Sequence, residues 1–278
     1  ALYHNLPSGG ARRATYEMAK SLAARGHIID EFCLATADRS GLSLDGIVRR
    51  TEIFPLRARG VAPVRIPFLT PYITAGRLTA DLRDLDLANR RAAAATNAGG
   101  YDLAFTQDCR FTQNPDILRY LDVPSAHYCH HGAGSRLPRP KDSTGADTDW
   151  AERLKSLFYF LPTRLYPWMS ERRAARNIRQ ADLVITNSAF AREGLFRAYG
   201  VESRVAYLGV DVERFRPLGL DRERYVLSVG AVHYFKGYRF LVAALGLLPD
   251  AIRPPLVIAA NSVEPAERQI VASLAERL

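Results

Sequence analysis

Pro7-Ser8-Gly9-Gly10-Ala11-Arg12-Arg13 is the stretch on which the reading of this chain turns. Ahead of it stands Ala1-Leu2-Tyr3-His4-Asn5, which reads as the tail of a first strand. Behind it Ala14, Met18, Leu22 and Ala23 fall on one face of a helix that closes at Arg25-Gly26-His27. A strand end, a tight turn and a helix start point backbone N–H groups and the positive end of a helix dipole at an anion. A plain tight turn has the same composition, so the two glycines leave both readings open. Leu227-Ser228-Val229-Gly230 through Lys236-Gly237 repeats the arrangement more than two hundred residues later. Two such turns in separate βα units predict a cleft between two domains that grips a phosphorylated molecule from both sides. Gly9 and Gly10 stand on one side, Gly230 and Lys236 on the other. Neither turn fits Gly-x-Gly-x-x-Gly or Gly-x-x-x-x-Gly-Lys-Ser/Thr, which disfavours a dinucleotide-dependent oxidoreductase.

Working outward, apolar runs alternate with helical patterns. Strands are predicted at 28–35, 47–54, 101–106, 123–129, 181–186, 204–208, 225–229 and 256–260. Helices are predicted at 78–97, 114–121, 150–180 (interrupted by Pro162 and Pro167), 189–199 and 237–248, with a final one to the end. Asn187-Ser188 stands where the cap of the 189–199 helix belongs. Residues 56–73 and 132–149 read as loops, the second mobile. This alternation predicts an α/β protein with parallel sheets and ligands at the carboxyl ends of the strands. We expect a first Rossmann-like domain over 1–212 and the start of a second over 213–278. Two strands are too few to close a second sheet, and both chain ends read as cut from something longer.

The chain has 278 residues, formal charge +9, and 34 arginines against 4 lysines. The arginines are scattered through helices rather than bunched in one arm, which argues against nucleic acid as a partner. The arginine bias also fits genomic base composition alone. Cys33, Cys109 and Cys129 are far apart and show no Cys-x-x-Cys, so neither a disulfide framework nor a zinc site is expected, and a reducing cytoplasm fits. No run of about 18 apolar residues suggests a membrane span.

His127-Tyr128-Cys129-His130-His131 ends a predicted strand. His127 and His131 share one face and His130 points the other way. No carboxylate lies near in sequence, so metal binding is not expected. A histidine that hydrogen-bonds substrate hydroxyls and a structural histidine both fit. Lys236 reads as a mobile point charge for a phosphate or as a surface lysine, with His233 close by. Leu154, Leu157, Phe158, Phe160, Leu161, Leu165, Trp168 and Met169 interleave with Arg153, Lys155, Arg164, Arg172 and Arg173. That stretch suits a helix packed in the domain or over the cleft, or one resting on the inner face of an anionic membrane.

At these residues the chain resembles the GT-B glycosyltransferases of family 4, the large group of retaining, nucleotide-sugar-dependent enzymes. Gly9-Gly10-Ala11 with Glu17-Met18-Ala19 is similar to the family's first glycine loop and helix. Ala181 to Ser188 is similar to its "ADxVITxS" strand, and Tyr207-Leu208-Gly209-Val210-Asp211 with Phe215 and Pro217 to its interdomain segment. Val229-Gly230 through Lys236-Gly237 is similar to its "VGRxxxxKG" turn. The motifs span nearly the whole chain in the right order. The resemblance implies that Gly9, Gly10 and Gly230 face the donor diphosphate, that Lys236 holds it, and that His130 stands near the transferred sugar. It places Arg12, Arg13 and His131 on the acceptor side.

The resemblance further implies a metal-independent transfer, with a nucleoside-diphosphate sugar as co-substrate and no cofactor. The acceptor would be a glycan, lipid or small molecule. Three departures stand out: Ala231 replaces the family's arginine, Arg12 its acidic residue, and Leu208 its asparagine. The family's paired glutamates for the donor would fall past Leu278. Ala231 keeps open the alternative of a GT-B-like protein that binds sugar or nucleotide without turnover.

Overall fold

The computed structural model describes residues 1–39, 42–61, 66, 69–131 and 150–277, the side chains of 150–163 excepted. The predicted loop at 132–149 lies outside the described residues. The chain forms two compact units that divide between Gly209 and Val210, against the expected boundary after residue 212.

The first unit is a seven-stranded parallel sheet. Its strands are β1 (Leu2–Asn5), β2 (Asp30–Leu34), β3 (Arg50–Phe54), β4 (Ala104–Cys109), β5 (Ser125–Cys129), β6 (Leu183–Thr186) and β7 (Arg204–Val205). Their spatial order is β3-β2-β1-β4-β5-β6-β7, with every pairing parallel. The order runs one way from β1 to β3 and the other way from β4 to β7. The reversal between β1 and β4 is the place where doubly wound sheets bind ligands, outside the carboxyl ends of the strands.

Alternation along each strand assigns the helices to faces. Leu2 packs with Ile29, Leu44 and Ala19 of α1 (Gly10–Ala24). Its neighbour Tyr3 points the other way, into Phe32, Leu34, Phe54 and the Leu82 and Leu85 side chains of α2 (Thr70–Ala98). With both faces covered, β1 and β2 are buried along their whole length, which explains their lack of a polar-apolar alternation.

α3 (Trp150–Ile178) is one continuous helix through Pro162 and Pro167, where an interruption was expected. An interior proline costs about 3 kcal/mol in lost hydrogen bonding and ring clash. Tyr166 and Met169 pack on the α2 core while Ala174 and Ile178 are buried, and that tertiary packing overrides the local penalty. α4 (Ala189–Tyr199) follows the prediction, with Ser188 Oγ accepting from the Ala191 N–H and Gly200 closing the helix in the left-handed conformation.

The second unit holds two parallel strands, β8 (Val226–Val229) and β9 (Leu256–Ala259), with α5 (Tyr238–Gly246) and α6 (Pro265–Ala275). Val232, Tyr238, Val242 and Val271 form its core. Both units thus show the expected α/β arrangement with parallel strands.

Candidate active site

The first glycine turn lies where β1 leads into α1. Gly9 has φ 137° and ψ −166°, a backbone state that residues with a Cβ rarely adopt. It caps α1, and no side chain bonds to the helix start. The first intrahelical bond from the turn runs from the Arg13 N–H to the Gly9 carbonyl, and the first turn carries no acidic residue. The leading N–H groups therefore face outward under an uncompensated dipole. A Cβ added at Gly9 or Gly10 would meet nothing within 4 Å, so the space before the turn is open.

The neighbouring strands bring polar groups to the same end of the sheet. Gln107 and Asp108 stand just before Cys109, the last residue of β4, and His130 and His131 follow β5 directly. His130 Nε2 lies 2.8 Å from Gln107 Oε1, and Thr15 Oγ1 on α1 lies 3.3 Å from the same oxygen. An amide oxygen only accepts, so His130 Nε2 carries the proton and Nδ1 is left as an acceptor. Burial pushes the His130 pKa below its ordinary value, which keeps the ring neutral. Gln107 thus couples the glycine-turn helix to the histidine.

Asp108 Oδ2 accepts from the His130 backbone N–H at 3.1 Å and pairs with His131 Nδ1 at 2.8 Å. The hydrogen bond to Asp108 raises the His131 pKa, while the ring stays about half exposed. His127 is fully buried between Thr106 Oγ1 (3.0 Å) and Asn114 Oδ1 (3.2 Å), and burial drops its pKa to about 4. It is the structural member of the three. The alternation read from sequence holds: His127 and His131 both approach Asp108, at 3.7 and 2.8 Å, and His130 turns toward Gln107.

Sequence reading missed Gln107 and Asp108, because it ended their strand at Thr106. The signal available was a polar run, Thr106-Gln107-Asp108, directly after apolar Ala104-Phe105.

Arg12, expected on the acceptor side, is corrected to an interior residue. It lies three and seven positions before Thr15 and Ala19, on the buried face of α1, and only 2% of its side chain is exposed. Its guanidinium donates to the Leu42 carbonyl at 2.8 Å and lies 3.8 Å from Glu31 and 3.5 Å from His4. Glu31 pairs with His4 at 2.7 Å and accepts from Thr51 at 2.8 Å. Burial pushes the Glu31 carboxyl up, but the His4 hydrogen bond, with Thr51 and Arg12, outweighs it and holds the carboxyl below its usual range. Arg13 is exposed on the same turn.

Two buried trios, His4-Glu31-Cys33 and Asp108-His127-Cys129, bring potential metal ligands within 4.8 Å of one another. The second contains a carboxylate that sequence proximity did not offer. In the first, His4 and Glu31 pair with each other; in the second, His127 is bound to Thr106 and Asn114 and Asp108 to His131. Burial pushes the Cys33 thiol up to about 12 and the Cys129 thiol well above its ordinary value.

In the second unit β8 runs into Gly230 (φ 158°), whose carbonyl accepts from Tyr238 Oη at 3.0 Å. A short 3-10 turn, Tyr234–Lys236, leads to Gly237 in the left-handed conformation and into α5. α5 also begins without a side-chain cap or an acidic residue in its first turn. Lys236 is exposed, with Nζ 5.8 Å from the Phe235 ring centroid. Phe235 stacks on His233 at 5.4 Å, and His233 Nδ1 lies 3.5 Å from Glu264.

Residues 8–214 match the sequence profile of Glycosyltransferase Family 4. No curated protein sequence matches the chain. Among solved structures, HepE of Anabaena, crystallised with UDP and glucose, is 16% identical with a TM-score of 0.54, over 99% of this chain and 65% of that one. A glycosyltransferase of Rickettsia africae ESF-5 is 15% identical with a TM-score of 0.53, over 99% of this chain and 64% of that one. At these identities the likeness is one of fold. The chain spans just under two thirds of the length of either protein.

Proposed function

Because the chain belongs to glycosyltransferase family 4, we propose that it transfers a hexose from a nucleoside-diphosphate sugar to a glycan, lipid or small-molecule acceptor, with retention and without a metal. The observation that carries this reading is the start of α1 at Gly9, which has no side-chain cap, joined through Gln107 of β4 to a neutral His130 beside the sheet's switch point. The UDP in the HepE crystal supports a nucleoside-diphosphate donor.

Cleavage of a sugar–diphosphate bond builds negative charge on the leaving oxygens and positive charge at the anomeric carbon. In this reading the amides of Gly9 and Gly10 and the α1 dipole receive part of the diphosphate charge. In the second unit Gly230, Lys236 and the start of α5, which has no side-chain cap, are assigned to donor binding as well. One such donor is worth about 2.7–4 kcal/mol at comparable oxyanion sites. His130, uncharged and holding an acceptor at Nδ1, suits a contact to a sugar hydroxyl. Arg13 and His131 are assigned to the acceptor side.

The test is a thermal-shift panel of UDP, GDP and ADP, followed by nucleoside-diphosphate release from the matching sugar donors over an acceptor panel, with and without EDTA. We expect one nucleotide to raise Tm, EDTA to leave turnover unchanged, and the product to keep the anomeric configuration. A protein whose Tm responds to no nucleotide would defeat the donor assignment. Ala231, standing where the family has arginine, favours the second reading of binding without turnover. Donor heat in calorimetry with no product on any acceptor would select it.

A further inference from the structure

We propose that the groove between α2 and α3 is a docking surface for an anionic bilayer, its arginine rim taking lipid phosphates while the apolar residues beside it enter the interface. The groove has a volume of about 870 Å³, and Thr79, Arg83, Trp168, Arg172, Arg176 and Arg179 line it. A smaller hollow shares Thr79 and Arg83 and continues to Tyr72 and Leu165. Both helices lead into the amino ends of strands, α2 into β4 and α3 into β6, so the Arg172–Arg179 end lies at the opposite edge of the sheet from Gly9 and His130.

The groove's charge divides into a satisfied floor and an unsatisfied rim. Arg173 is bound to Asp86 (3.0 Å) and Asp116 (3.4 Å), and Arg179 donates to the Tyr199 carbonyl. Arg83, Arg172 and Arg176 are exposed and pair with no carboxylate among the described residues. The acids of α2 are already engaged: Asp81 and Asp84 by Arg59, and Asp86 by Arg90, Arg119 and Arg173. Arg172 and Arg176 lie one helical turn apart, and the Arg172 guanidinium stacks over Trp168 at 4.8 Å.

Trp168 is 54% exposed, Tyr72 and Leu165 are exposed along the adjoining hollow, and Ile73 is exposed on α2 next to Tyr72. A pocket for a small soluble phosphate would converge its donors on one point. Here the cations are strung along the groove next to exposed apolar side chains, which is the composition of an interfacial surface. Of the stretch that sequence reading singled out, Leu165, Trp168 and Arg172 fall on this surface. The side chains from Arg153 to Leu161 lie outside the described residues.

The experiment uses the protein carrying Trp150→Phe, so that Trp168 is the one emitter, with vesicles of 70:30 phosphatidylcholine and phosphatidylglycerol and of phosphatidylcholine alone. We expect co-sedimentation and a blue shift of Trp168 emission on the anionic vesicles, both weakened by salt. Arg83→Gln, Arg172→Gln and Arg176→Gln combined should lower vesicle affinity on the order of 100-fold, about fivefold for each arginine. The positions are exposed, so the melting temperature should stay put. Equal sedimentation of the triple variant, or no emission shift, would overturn the proposal. Displacement by millimolar glycerol phosphate would also overturn it, in favour of a small-phosphate site. The nucleotide thermal shift, run on the same variant, should be unchanged, so a failure here is separable from a failure of the donor reading.

Discussion

Nδ1 of His131 sits 2.8 Å from Oδ2 of Asp108, which ties the second residue after β5 to the end of β4. Asp108 holds the His131 pKa above its ordinary 6.5. A raised folded pKa means that the pair's contribution to stability is complete below the unfolded value and is lost as pH rises through the folded one. We therefore expect Asp108→Asn to lower the His131 pKa toward 6.5, followed by NMR of the ring protons. Chemical denaturation should show wild type and variant differing most at mildly acidic pH and converging once His131 is neutral in both.

Gly9 and Gly10 separate a backbone requirement from a ligand requirement. Gly9→Ala forces a Cβ into φ 137°, a cost of about 1–3 kcal/mol read as a fall in Tm. Gly10 opens a helix in open space, so Gly10→Ala should leave Tm within a degree or two. If a diphosphate approaches that backbone, the same variant should weaken nucleotide binding. Unchanged binding would return the glycine pair to the role of a tight turn.

Lys236 is exposed and bears on stability little, so Lys236→Ala should shift unfolding by no more than about 0.5 kcal/mol. Its loss as a diphosphate partner should cut kcat on the order of 100- to 1000-fold. Wild-type turnover in this variant would remove it from the mechanism.

Arg12 makes the opposite pattern. Removing one partner of a buried charged group costs about 3–5 kcal/mol, because the other is left uncompensated. Arg12→Ala, which strips Glu31 of its guanidinium neighbour, should fall in that range by urea denaturation. A stable Arg12→Ala that loses acceptor binding would restore the surface role expected from sequence.

Periodicity and turn chemistry made most of the fold legible. The 3.6-residue pattern marked α1 to within a residue, Asn187-Ser188 marked the start of α4, and apolar runs located every strand of both sheets. Boundaries moved where packing outweighed local preference. α2 begins at Thr70 rather than Leu78, α3 runs through its prolines, and β4 carries its ladder on to Cys109 through three polar residues. In the strand, Gln107 Oε1 and Asp108 Oδ2 are engaged by the neighbouring histidines and the His130 backbone, partners that lie 22 or 23 residues away.

What the sequence determined by itself was local: where helices start, which turns require glycine, which residues alternate across a strand, and the family to which the ordered motifs belong. The partnerships were decided by the tertiary structure. Arg12 and Arg13 are adjacent in the chain and alike in chemistry, yet one is buried against Glu31 and the other faces solvent. His127 and His131 share a strand face, yet one is sealed between Thr106 and Asn114 and the other presents its ring at the sheet edge. The reason is physical: burial and hydrogen bonding fix a side chain's charge and role, and both are set by residues that only the parallel sheet brings alongside.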